Sequence, residues 1–157
     1  MSRETTLATA EDTRRWGHRL AQVLTAGDLV VLTGGLGAGK TTLTQGLAEG
    51  LGVRGPITSP TFVIARVHPS LVGGPDLVHV DAYRLGGVAE LDDLDLDASL
   101  EEAVTVVEWG HGLAEGLAED RLEVTLHGED ARTVAVSARG PRWAGAEAAA
   151  ALDALAG

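Results

Sequence analysis

The sequence predicts an α/β fold: three layers around a mixed, mainly parallel sheet that ends in a C-terminal hairpin. Three observations lead there. Short β-branched runs alternate with stretches of helical period, a strand, a glycine-rich loop and a helix follow one another between residues 28 and 51, and two late strands flank the turn residues Gly128, Glu129 and Asp130. A length of 157 residues suits a single domain, 1–157, with room for a real core.

The elements follow in order. Residues 10–26 place Trp16, Leu20, Val23 and Leu24 on one helical face, and Gly27 supplies the stop. "DLVVLTG" (28–34) reads as a buried strand, and residues 40–51 return to helix through Leu43, Leu47 and Leu51, ended by Gly52. "TFVIARVH" (61–68) and "LVHVDAY" (77–83) are expected as strands joined by the turn-rich "PSLVGGPD". "AVTVVEW" (103–109) is a further apolar strand, with a weak helix expected around residues 111–120. "RLEVTLHG" and "RTVAVSA" form the hairpin, and an alanine-rich helix over 143–155 closes the chain.

Composition removes several classes of chemistry. The chain has no cysteine, which excludes disulfides, thiolate metal sites and a cysteine nucleophile. No apolar run reaches the ~20 residues of a membrane span, and the first fifteen residues lack the apolar centre of a signal peptide, so a cytoplasmic protein with no membrane partner is expected. A net charge of −11 argues against gripping a nucleic-acid backbone alone, because that requires clustered Lys and Arg. A small anionic ligand stays compatible, since backbone dipoles and a metal ion override an unfavourable net field over short distances.

The chemistry concentrates in "LTGGLGAGKTT", Leu32 to Thr42. Gly34, Gly39, Lys40 and Thr41 satisfy G-x-x-x-x-G-K-[ST], with Gly35, Leu36, Gly37 and Ala38 between them. Glycines let successive backbone N–H groups curl toward one anion while the next helix directs its positive N-terminus at the same place. Lys40 is the only lysine beside eleven arginines. Its slim stem can lie over such a loop and reach the β and γ phosphates, where the broad fork of arginine does not fit. Thr41 is expected to put its hydroxyl on Mg²⁺, and Thr42 to stand near the α phosphate. The pattern therefore points to a nucleoside triphosphate with Mg²⁺.

Such a site needs acids at the ends of neighbouring strands. "LVHVD" ends at Asp81 and "VTVVE" at Glu108, each a carboxylate at a C-terminal strand edge, and the residues alone leave open which one touches the metal. His79, two positions before Asp81, is placed to share its face of the strand. The acids between Glu90 and Glu102 alternate with leucines and read mainly as a solvated face.

In combination, "GGLGAGKTT", "SPTF" (59–62), "HVDAYRL" (79–85) and "VEWG" (107–110) resemble the bacterial TsaE (YjeE) family, in the same order and over nearly the whole chain from about Thr5 through the hairpin. The resemblance implies an ATPase required for threonylcarbamoyladenosine in tRNA, acting with the TsaD and TsaB proteins, reaching tRNA only indirectly, and monomeric or weakly oligomeric alone. It implies ATP on Gly34 to Thr42, Mg²⁺ on Thr41 and Glu108, and Asp81 as a nearby carboxylate positioning water. Ser59 and Thr61 resemble a nucleotide-sensing segment, Trp109 follows the metal ligand, and Glu11 and Arg132 match positions near the nucleoside. The family usually has an acid where Gly35 stands, and a glycine where Asp95 stands. Two other uses of the same loop are a small-molecule kinase, for which no arginine-rich lid is visible, and a nucleotide-dependent binding switch with little turnover.

Overall fold

The structure, a computed structural model, describes residues 2–34, 39–53, 65–81, 102–108, 120–128 and 132–155. A seven-stranded mixed sheet forms the middle, in the order β1-β7-β6-β2-β5-β4-β3. Its strands are β1 (Ser2–Leu7), β2 (Leu29–Gly34), β3 (Ala65–His68), β4 (Asp76–Asp81), β5 (Ala103–Glu108), β6 (Arg121–His127) and β7 (Arg132–Arg139). The four inner strands β6, β2, β5 and β4 run parallel, and β3, β7 and β1 pair antiparallel at the two sides. This is the expected mixed sheet with its C-terminal hairpin, β6 to β7.

β2 and β5 lie at the centre because their sequences are apolar on both faces. "LVVL" and "AVTVV" are buried at every position, as a parallel strand covered on both sides must be. The helices α1 (Ala10–Ala21), α2 (Lys40–Leu51) and α3 (Ala146–Leu155) contribute to one core. Trp16, Leu20, Leu43, Leu47 and Leu152 pack there with Val30, Leu32, Val104, Val106, Leu122 and Val134 of the sheet. Leu29, Val31, Val78, Val80 and Val107 alternate with these residues and are buried too.

Three differences from the sequence reading have local causes. α1 ends at Ala21 rather than running to Ala26, with Gln22 as its C-cap, and Gly27 instead turns the chain into β2 and donates to Ala103 O at 3.0 Å. The last helix starts at Ala146, because Pro141–Trp143 forms a single 3-10 turn and Arg142 in it forks onto Asp28 at 3.2 and 3.3 Å. β1 was not expected at all. "SRETTL" has one apolar residue, and its pairing comes from β7, Ser2 opposite Ser137 through Leu7 opposite Arg132. Polar side chains on an edge strand also discourage pairing with a second molecule.

α1 and α2 touch backbone to backbone. A Cβ at Gly50 would stand 2.7 Å from His18 O, while those at Gly17 and Gly46 would overlap Leu43 O and Arg14 O. An Arg14–Glu49 ion pair bridges the same helices at the surface. The positions therefore need glycine for space. Gly46→Ala is expected to force the helices apart and destabilise the domain by about 1–3 kcal/mol, as overpacked cores do. Thermal unfolding followed by circular dichroism should fall by roughly 3–10 °C, and an unchanged midpoint would show that the helices do not meet there.

Candidate functional site

β2 ends at Gly34 and α2 begins at Lys40, so the strand end and the helix start flank the glycine-rich segment. Gly39 is the N-cap of α2 at φ 100° and ψ 17°, a left-handed conformation that glycine adopts without steric penalty. α1 closes its start with a capping box, in which Thr9 Oγ1 accepts from Asp12 N and Asp12 accepts from Thr9 N. α2 has no side-chain cap. Its first-turn N–H groups, which no helical carbonyl satisfies, therefore stand ready for an anion.

Lys40 lies in the first turn with its ammonium buried, and Nζ donates to Gly34 O at 2.8 Å. The contact folds the charge back over the end of β2. Thr44 Oγ1 donates to Lys40 O at 2.8 Å, while Thr41 and Thr42 are half-buried beside it. Thr13 Cγ2 and Arg132 Nε would lie 3.6 and 3.8 Å from a Cβ on Gly39, so the start of β7 and the first helix converge on the same corner. Arg132 thus stands beside Gly39. Glu11 is in the first turn of α1, exposed and ion-paired with Arg15 at 3.2 Å, and no contact brings it to Gly39. Thr13 had no sequence signal, because a threonine inside a helix has none.

The two acids meet across the ladder. Asp81 of β4 stands directly opposite Glu108 of β5, and Glu108 stands opposite Leu32 of β2. Glu108 is 4% exposed, and its Oε2 accepts from His79 Nε2 at 2.7 Å. A carboxylate only accepts, so the imidazole proton is on Nε2. Nδ1 of His79 is buried with no hydrogen-bond partner among the described residues.

The candidate donors are all oxygen: the Thr41 hydroxyl and the carboxylates of Glu108 and Asp81, whose strand positions are in register. Among the described residues no group of three or more His, Cys, Asp or Glu could hold a metal ion. That combination suits Mg²⁺, which keeps waters, takes few protein carboxylates and fills its shell with phosphate oxygens. Gly35, Leu36, Gly37, Ala38, Ser59, Thr61 and Trp109 lie outside the described residues, as do the expected helix around 111–120 and the acids from Glu90 to Glu101. No described helix is long and apolar enough to cross a membrane.

The family model "Threonylcarbamoyl adenosine biosynthesis protein TsaE" matches residues 7–135. The chain belongs to the TsaE family. It is 62% identical over 141 residues to the Streptomyces coelicolor tRNA threonylcarbamoyladenosine biosynthesis protein TsaE, covering 85% of this chain and 95% of the relative. The Bacillus subtilis protein of the same name is 38% identical over 136 residues, covering 85% and 84%. Among solved structures, the crystal structure of Bacillus subtilis YdiB superimposes with a TM-score of 0.73 at 31% identity, over 99% of this chain and 94% of that one. The P-loop fold of the TsaE family thus sets Lys40, Asp81 and Glu108 at one edge of its sheet.

Gly39 offers a test of the loop's backbone. Its surroundings leave ordinary van der Waals room for a Cβ, so the penalty for Gly39→Ala is conformational, about 1–2 kcal/mol. Asn tolerates the left-handed region better. In urea unfolding, Gly39→Asn should therefore lose less stability than Gly39→Ala, and equal losses would contradict a left-handed cap.

Proposed function

We propose that this TsaE-family chain is a cytoplasmic Mg²⁺-dependent ATPase of tRNA threonylcarbamoyladenosine synthesis, working with TsaD and TsaB and meeting tRNA only through them. One observation carries the reading: a buried lysine and the uncapped start of a helix lie at the sheet edge where Asp81 and Glu108 stand side by side.

The residues divide the work. The α2 amides and the glycine loop bind the β and γ phosphates, and Lys40 exchanges the Gly34 carbonyl for a phosphate oxygen, following the charge as it spreads in the transition state. Thr41 and Glu108 would hold Mg²⁺, with Asp81 orienting the attacking water. Mg²⁺, when bound, neutralises charge on the β and γ oxygens. Arg132 and Thr13, at the corner by Gly39, would border the nucleoside. The net charge of −11 fits a component that leaves RNA contacts to its partners.

Lys40→Ala should reduce phosphate release from ATP by roughly 10²–10³-fold, the scale for losing one transition-state donor. Malachite-green assay of purified protein with TsaD and TsaB would read it, and wild-type turnover in that variant would remove the proposal. A panel of acceptor metabolites in the same assay should show phosphate released to water and not transferred. Nucleotide should also govern assembly. In pull-downs on immobilised TsaD–TsaB, a non-hydrolysable ATP analogue should raise recovery at least ~5-fold over ADP, the low end of allosteric coupling. Equal recovery with either nucleotide and with none would exclude a nucleotide-controlled partnership.

A further inference from the structure

We propose that His79 is a positioning residue for the metal: its Nε2–H holds one oxygen of Glu108 so that the other is presented to Mg²⁺. The assignment rests on the nucleotide–metal reading above and adds to it a residue that neither ligates nor touches substrate.

The placement comes from the ladder. His79 sits opposite Val106, two residues before Glu108, so its ring reaches diagonally toward the strand end to meet the carboxylate at 2.7 Å. Among the described residues His79 is the one hydrogen-bond partner of Glu108, and it holds Oε2, so Oε1 is the oxygen assigned to Mg²⁺. Both side chains are almost wholly buried, at 1% and 5% exposure, so solvent does not compete with the contact.

Packing alone does not account for a histidine here. The neighbouring residues Leu77, Val104 and Val106 are apolar and fully enclosed, and an aliphatic side chain would extend them without burying an orphan nitrogen. His79 leaves Nδ1 with no partner among the described residues, an arrangement that proteins generally avoid. The nitrogen with a task is Nε2. A ligand held by a hydrogen bond loses less freedom on coordination, and outer partners of this kind are typically worth 10–100-fold in metal affinity.

The test compares two polar replacements of similar size. In His79→Gln the side-chain amide nitrogen falls near the position of Nε2, while in His79→Asn it falls near Nδ1 and cannot reach Glu108. Mn²⁺ replaces Mg²⁺, and free Mn²⁺ is counted by electron paramagnetic resonance in the presence of saturating ADP. His79→Asn should bind Mn²⁺ roughly 10–100-fold more weakly than wild type, and His79→Gln should recover most of that loss. ADP affinity in EDTA should change less than about threefold in either variant. Equal Mn²⁺ affinity in wild type and His79→Asn overturns the assignment, as does an equal fall in metal-free ADP affinity, which marks a purely structural role.

Long-range ¹H–¹⁵N spectra of the unsubstituted protein give a second readout that needs no variant. They should show the His79 proton on Nε2 and a shift of that signal when Mg²⁺ is added to the ADP complex. A proton on Nδ1, or a signal indifferent to Mg²⁺, overturns the assignment. Should wild type bind no ADP, the nucleotide reading falls and this assignment with it. Should it bind Mn²⁺–ADP normally while His79→Asn matches it, only the role of His79 falls.

Discussion

The contact between α1 and α2 through Gly17, Gly46 and Gly50 governs where everything else can stand. Two helices packed over side chains lie 8–10 Å apart, but here a single methyl group at Gly46 would overlap a carbonyl of α1. The closeness leaves α2 little freedom to slide, so its first turn is fixed relative to the sheet. Lys40, Thr41 and the N-cap Gly39 inherit that position, and the same approach brings Thr13 of α1 against Gly39. A scaffold contact about two turns long thus sets where the first turn of α2 stands.

The electrostatics of the site run against those of the molecule. The chain carries eleven more acids than bases, yet its glycine loop collects the one lysine and the positive end of a twelve-residue helix. Screening explains how both can hold. Exposed charges beyond about 8 Å count for little at physiological ionic strength, whereas a buried ammonium and oriented amides act at contact distance in a poorer dielectric. Asp81 and Glu108 occupy paired positions of β4 and β5, a placement of two acids that a divalent cation would favour. On the proposed reading, phosphate would fall to α2 and the metal to the β4–β5 ladder.

Most of this was legible from residues whose local signal matched their final environment. The apolar runs of β2 and β5, the leucines of α2 and the G-x-x-x-x-G-K-T spacing each specify one structure without reference to distant contacts. Asp81 and Glu108 could be named because a carboxylate ending an apolar run stands out. What could not be read depends on partners far along the chain. β1 has no strand signature and exists because β7 offers an unpaired edge far along the chain, Ser137 for Ser2 and Arg132 for Leu7. The need for glycine at Gly17 and Gly46 has no local signal, since sequence does not say which helices will press together. His79 was visible as a neighbour of Asp81 but its bond to Glu108 was not, because pairing register decides it.

That register is itself a problem the fold must solve. Where one face of a strand is polar, a one-residue slip exposes the core and is rejected. β5 is buried at all six positions, so burial distinguishes its two faces less than in a strand with one polar face. Polar contacts at both ends remove the ambiguity. At the start of the strand, Gly27 N bonds Ala103 O and Thr105 N bonds Asp28 O, and the Asp28 side chain is clamped by Arg142 and by Thr25 N. At its end, the His79–Glu108 bond exists in only one alignment of β4 with β5. A slip would leave a buried carboxylate without its donor, a penalty of several kcal/mol for a charged group. The hydrogen bond that orients Glu108 therefore also helps to select the register that brings Asp81 beside it.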